Sequence, residues 1–162
     1  MKTLVLYLTI LLFASCKTET QKETSQPCPD AEKIPVAELK QQLTEKGFSI
    51  FEFVDEKTQD TVLMQQYFIA FLKRGANRSQ TKEETDSLQA LHMAHLGRMY
   101  EEGFADISGP FGDDGDIRGI TIYNVPTLHI ADSLANLDPM VQAGRLAVEV
   151  KPWWAAKGFK LR

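Results

Sequence analysis

Two histidines, His92 and His95, stand three residues apart in the stretch Leu91-His92-Met93-Ala94-His95-Leu96. With Leu88, Leu91, Leu96 and Met99 they follow the helical repeat and share one broad face, within reach of each other. Imidazoles at this spacing can chelate a metal, or they can sit partly buried and hydrogen-bonded. A third ligand that would complete a metal site is not visible in the pattern, so no metal and no cofactor are expected. The pair Asp138-Pro139 suits a helix start, with aspartate at the N-cap and proline at the first position, worth about 1 kcal/mol. A carboxylate there can cap the helix with one oxygen and orient an imidazole with the other.

Lys73, Arg74 and Arg78 follow a strand and could meet an anionic substrate or simply be solvated. The run Gly109-Pro110-Phe111-Gly112-Asp113-Asp114-Gly115-Asp116 is acidic and rich in glycine. Its aspartates do not have the spacing of a helix-loop-helix calcium site. Asp114-Gly115 is instead a turn signal. Trp153 and Trp154, just after Pro152, suit packing at an interface or lid.

The elements that must position these groups are legible in outline. Val36, Leu39 and Leu43, with a stop at Gly47, predict a short amphipathic helix, and 48–54 reads as a strand. Residues 62–73 form a long aromatic and aliphatic strand. Thr81 with Glu84 three residues on is a capping-box arrangement for a helix running to about Glu102 and stopped by Gly103. Residues 104–108 and 119–125 predict two strands joined by the loop 109–118. A helix over 127–137, a further turn from Asp138 closed near Gly144, and a strand over 146–151 complete the series.

Strand–helix–strand–strand–helix–strand is the ferredoxin-like plan, an α+β fold whose antiparallel sheet carries both helices on one face. In the first core strand Tyr67, Ile69 and Phe71 alternate with Phe68, Ala70 and Leu72, so both faces are apolar. A half-solvated antiparallel sheet alternates apolar with polar. Something must therefore cover the second face, either the segment 35–61 or a second copy of the chain, and a homodimer with sheets packed face to face is the expectation.

The N-terminus has its own logic. Met1-Lys2 precedes an apolar run from Leu4 to Phe13, and Ala14-Ser15 stands directly before Cys16. Spanning a bilayer takes about 20 apolar residues, so the run suits a signal-peptide core. The pattern resembles a bacterial lipobox, with Phe13 where leucine is more usual. The resemblance implies cleavage before Cys16, lipidation of that cysteine, and a lipid-anchored place in the bacterial cell envelope, at the outer membrane on its periplasmic or surface side. The expected organisation is a signal peptide at 1–15, lipidated Cys16 and a polar tether over 16–31, a helix–strand extension over 32–61, the core domain over 62–155 and a tail over 156–162. Cys28, in the tether, is the one other cysteine, so no disulfide is available once Cys16 is acylated. The chain of 162 residues has a formal net charge of −4, and nothing in it has the basic footprint that a nucleic-acid partner requires.

The segments 67–75, 92–96 and 102–103, then 109–115, 118–120, 138–139, 143–146 and 151–153, resemble the YCII-related (YciI-like) domain in order and spacing over roughly residues 65–155. The resemblance implies a dimeric α+β barrel and an active site built on a histidine and an aspartate, matching His92 and Asp138. His95 ranks second, as a substrate contact beside Arg74 and Arg78. The chemistry implied is general acid/base catalysis of lyase or isomerase type on a small molecule. Some similar proteins eliminate halide from chlorinated aromatic diols, and related barrels isomerise lactones. A different class of function, a non-catalytic ligand-binding or envelope interaction module, would reuse the same hollow. The lipoprotein signal and the 30–61 extension depart from the family pattern and stand against a cytoplasmic catabolic role.

Overall fold

The structure is a computed structural model that describes residues 34–159 and residue 161. The signal segment, Cys16 and the tether with Cys28 lie outside the described residues. Among the described residues no helix is long and apolar enough to cross a membrane.

The order of elements is α1 (Val36–Glu45), β1 (Ile50–Val54), β2 (Thr61–Arg74), α2 (Lys82–Glu101), β3 (Ala105–Pro110), β4 (Ile117–Tyr123), α3 (Leu128–Asn136), α4 (Pro139–Gln142) and β5 (Leu146–Ala156). The helix ends follow local chemistry. At the start of α2 the Thr81 hydroxyl accepts from Glu84 N–H while the Glu84 carboxylate accepts from Thr81 N–H, the reciprocal box the spacing predicts. Thr127 caps α3 and Asp138 caps α4. Gly47, Gly103 and Gly144 follow helix ends with positive φ, where a side chain would be strained.

Five antiparallel strands make one sheet. β2 pairs with β5 along one edge, and on its other edge first with β1 and then with β4, whose far side carries β3. The four core strands thus have the order β5-β2-β4-β3 of a ferredoxin-like sheet, and β1 extends it. Phe68, Ala70, Tyr123, Val148 and Val150 point toward α2 and α3, where Met99, Ala131 and Ala135 close the core. Each large side chain buried here contributes about 1.5–3 kcal/mol.

By the two-residue period of a strand, Tyr67, Ile69, Phe71, Ile120 and Ile122 lie on the opposite face. Leu63 and Gln65 share that face at the other end of β2. There α1 packs, with Leu43 buried and Lys40 pairing with Glu52, the register neighbour of Leu63. The extension therefore covers only one end, because β1 joins the sheet in its plane. Ile69, Phe71, Ile120 and Ile122 stay half-exposed in the single chain, and Trp153 and Ile107 are exposed.

Three details depart from the sequence reading. β3 runs two residues further than expected and β4 starts and ends two residues earlier, so the connecting loop shrinks to 111–116. β5 runs on to Ala156 through Pro152, which an edge strand tolerates because one side of it needs no ladder hydrogen bonds. Leu91, grouped with the buried face of α2, is exposed.

Candidate active site

His92 projects from the middle of α2, and Asp138 stands at the N-cap of α4. The two are 46 residues apart in sequence, and the packing of α4 against α2 brings them together. One Asp138 oxygen, Oδ1, accepts from the Met140 backbone N–H at 2.9 Å. The other, Oδ2, lies 2.5 Å from His92 Nδ1. Asp138 is only 1% exposed, and the His92 side chain 10%. With the carboxylate as acceptor, Nδ1 is the donor, and in the neutral ring Nε2 is then the nitrogen with the lone pair. The cap and the imidazole share one carboxyl group, so the Asp138 side chain is held from two sides. Burial first, and the Asp138 carboxylate second, hold the neighbouring Tyr123 phenol well above its ordinary range, so it stays neutral.

His92 lines a cavity of about 520 Å³ at one end of the sheet, a size suited to a small ligand. Gln89, Met93 and Leu96 of α2 share its wall with Met140, Pro110 and Gly119. Four arginines also face it: Arg74, Arg78, Arg118 and Arg145. The register explains how they meet. Arg74 ends β2 opposite Leu146, beside Arg145, while Ile117, beside Arg118, pairs with Lys73. The loop carrying Arg78 is tied down by hydrogen bonds from Gly75 N–H to Arg145 C=O and from Asn77 N–H to Gly144 C=O, both 3.0 Å. A Cβ on Gly75 would come within 2.2 Å of the Gly144 carbonyl oxygen, so only glycine permits this approach. Arg74 and Arg118 both donate to Asp114 Oδ1, each at 2.9 Å. The hydrogen bond from Arg74 leads in holding that carboxyl below its usual range.

Of the site residues read from the sequence, the structure gathers His92, Asp138, Arg74 and Arg78. His95 it places elsewhere. That imidazole is buried away from the cavity lining, with Nδ1 3.2 Å from Arg98 Nη2 and Nε2 unpartnered. Burial lowers its pKa, only partly offset by the Asp138 charge. A substrate contact for His95 is therefore corrected to a place in the helix–sheet packing. Lys73 turns instead to Glu149. Arg118 and Arg145 escaped sequence reasoning as site residues, although both stand in segments shared with the family pattern. No periodicity links them to Arg74, since strand register alone does. Among the described residues no group of three metal-ligating side chains occurs.

A larger hollow, about 840 Å³, lies on the uncovered sheet face between Tyr67, Ile122 and Trp153 and the C-terminal residues Phe159 and Leu161. It is mostly apolar and holds neither histidine. His92 lines the smaller cavity instead.

The family model of the YCII-related domain matches residues 67–154. The chain belongs to that family. The matched span of the YCII-related domain runs from the middle of β2 to the last residues of β5 and contains His92, Asp138 and the four arginines. Among solved structures the chain is similar to the 5-chloro-2-hydroxyhydroquinone dehydrochlorinase TftG from Burkholderia phenoliruptrix AC1100, in complex with 2,5-dihydroxybenzoquinone. The identity is 23%, over 54% of this chain and 92% of that one, with a TM-score of 0.40. No curated protein matches.

Proposed function

We propose that this YCII-related protein is an enzyme that moves a proton on a small molecule, with His92 as general acid/base and Asp138 as its orienting partner. The observation that carries this reading is the single carboxyl group that caps α4 and holds Nδ1 of His92, at the wall of a cavity large enough for a guest. An imidazole so held presents Nε2 to a bound molecule in a defined tautomer. Positioned proton transfer of this kind contributes about 10²–10⁴-fold to rate. Elimination and proton-shift isomerisation both require loss of a proton from carbon, and a ring nitrogen with a lone pair suits that step.

The test is turnover by His92→Ala and His92→Gln against candidate small carbonyl and enol compounds. Full activity in both variants on any compound the native protein turns over would remove the imidazole from the mechanism.

A second copy of the chain is the proposed cover for the uncovered sheet face, because Ile69, Phe71, Ile120 and Ile122 leave an apolar surface there that α1 does not reach. Sedimentation showing a concentration-independent monomer would rule this out. The lipobox-like run ending at Cys16 supports a further proposal, an acylated N-terminus held at the cell envelope. Membrane flotation that survives Cys16→Ala would exclude it.

A further inference from the structure

The His92 cavity is far more positive than proton transfer requires. Arg74, Arg78, Arg118 and Arg145 converge on it, and the carboxylate paired with them, Asp114, is 88% exposed and already shared between Arg74 and Arg118. Arg145 finds only the neutral Gln80 Oε1, at 3.4 Å. Arg78 makes no ion pair among the described residues, and it is faced by Arg145, Arg74 and Arg118 from three neighbouring segments. Arg78 is solvent-exposed; desolvation comes first in lowering its pKa, followed by those three guanidinium groups, yet an arginine stays charged at neutral pH.

Like charges held together cost stability unless something answers them, and nothing in the loop geometry relieves the crowding. Gly75 and Asn77 fasten the Arg78 loop to the backbone of Gly144 and Arg145, so the backbone at Arg78 is kept beside Arg145. The Asp114 bridge likewise fixes Arg74 and Arg118 as a rim. A guanidinium fork recognises carboxylate and phosphate oxygens in pairs, and a cavity with low-dielectric walls concentrates such anions.

We propose that the cavity is an anion-binding site whose ligand is a small organic dianion of the carboxylate or phosphate class. Arg78 and Arg145 are its direct partners, and the Arg74–Asp114–Arg118 bridge is the fixed rim. Four guanidinium groups against the two carboxylates of Asp114 and Asp138 leave room for two negative charges on the guest. The inference deepens the reading of this cavity as the active site, because it names the class of substrate. It does not depend on what His92 does, since charge recognition and proton transfer use different side chains.

The test uses the full chain at constant ionic strength, with calorimetric titration and thermal unfolding in succinate, inorganic phosphate, acetate and neutral succinamide. Binding of succinate or phosphate at least tenfold tighter than acetate, with no effect of succinamide, is the expected result. Arg78→Gln should weaken the bound dianion at least tenfold, and Arg78→Lys should recover part of the loss because charge returns without the fork. Arg145→Gln provides a second variant. Lys46→Gln, at the end of α1 and away from the cavity, should leave affinity unchanged. The proposal is overturned if neither dianion binds, if succinamide binds as well as succinate, or if folded Arg78→Gln and Arg145→Gln both keep native affinity. A null result with these probes would leave His92 and Asp138 untouched. Failure of the acid/base test would in turn leave the anion titration standing.

Discussion

Replacing Asp138 with asparagine separates what this carboxyl group does for the helix from what it does for the imidazole. Asparagine caps helices about as well as aspartate, so the bond now made by Oδ1 to Met140 N–H is kept. The group facing His92 Nδ1 changes from an acceptor to either an amide N–H or an amide oxygen. If the carbonyl stays on the cap, the NH₂ faces Nδ1, which must then accept. The ring proton moves to Nε2, and the lone pair needed at the cavity is lost. Turnover should fall about 10²–10⁴-fold, the full worth of a positioned base. Stability should fall by about 1 kcal/mol, the difference between a charge-assisted and a neutral hydrogen bond.

Asp138→Ala removes both bonds. It sacrifices a cap worth about 0.5–2 kcal/mol and strands a buried donor at His92 for about 1–3 kcal/mol more. The two variants should therefore differ by several degrees in unfolding midpoint, at about 2–4 °C per kcal/mol for a chain of this size. Long-range proton–nitrogen NMR of the His92 ring reads the tautomer directly, without any substrate. A ring that still carries its proton on Nδ1 in Asp138→Asn would refute the reasoning. Equal destabilisation by asparagine and alanine would refute the shared-cap account.

Gly75→Ala forces its new Cβ against the Gly144 carbonyl oxygen. The turn should open at a cost of about 1–3 kcal/mol, and affinity for succinate should drop even though no arginine is altered, as calorimetry would show. Glu149 has its pKa lowered to about 2, first by the hydrogen bond from Lys73 and then by that from Lys151. A carboxyl depressed on folding stabilises the protein above its ordinary pKa and loses that support as pH falls toward the folded value. Glu149→Gln should thus flatten the acid limb of denaturant stability between about pH 4.5 and 2. His95 behaves in the opposite chemical sense with the same slope. Burial disfavours its charged form, so the unfolded chain takes up a proton first as pH falls below about 6.5, and stability declines there. Guanidinium unfolding midpoints of His95→Gln should lose that decline, and an unchanged slope would assign it to another group.

Much of the architecture was legible from local chemistry. The capping box at Thr81 and Glu84, the Asp138-Pro139 start and the glycine stops depend on residues within one turn of each other, and the structure forms them as the spacing predicts. The two-faced apolar pattern of β2 likewise required no partner to be seen, because strand alternation is a property of the strand alone. Pairing His92 with Asp138 drew on a family resemblance, since no local rule links residues on different helices.

Other features depended on packing and register. His92 and His95 share a helical face, and sequence could not say which reaches a cavity. That was decided by where α4 docks, which gives His92 a carboxylate and leaves His95 Nε2 sealed without a partner. Arg118 and Arg145 were invisible as a cluster with Arg74 and Arg78, because only the pairing of three strand ends and the close approach at Gly75 bring them together. Local structure follows from short-range sterics and hydrogen bonds, which residue spacing encodes directly. The charge of a cavity comes from groups brought together by the chain's return, and that convergence exists only in three dimensions.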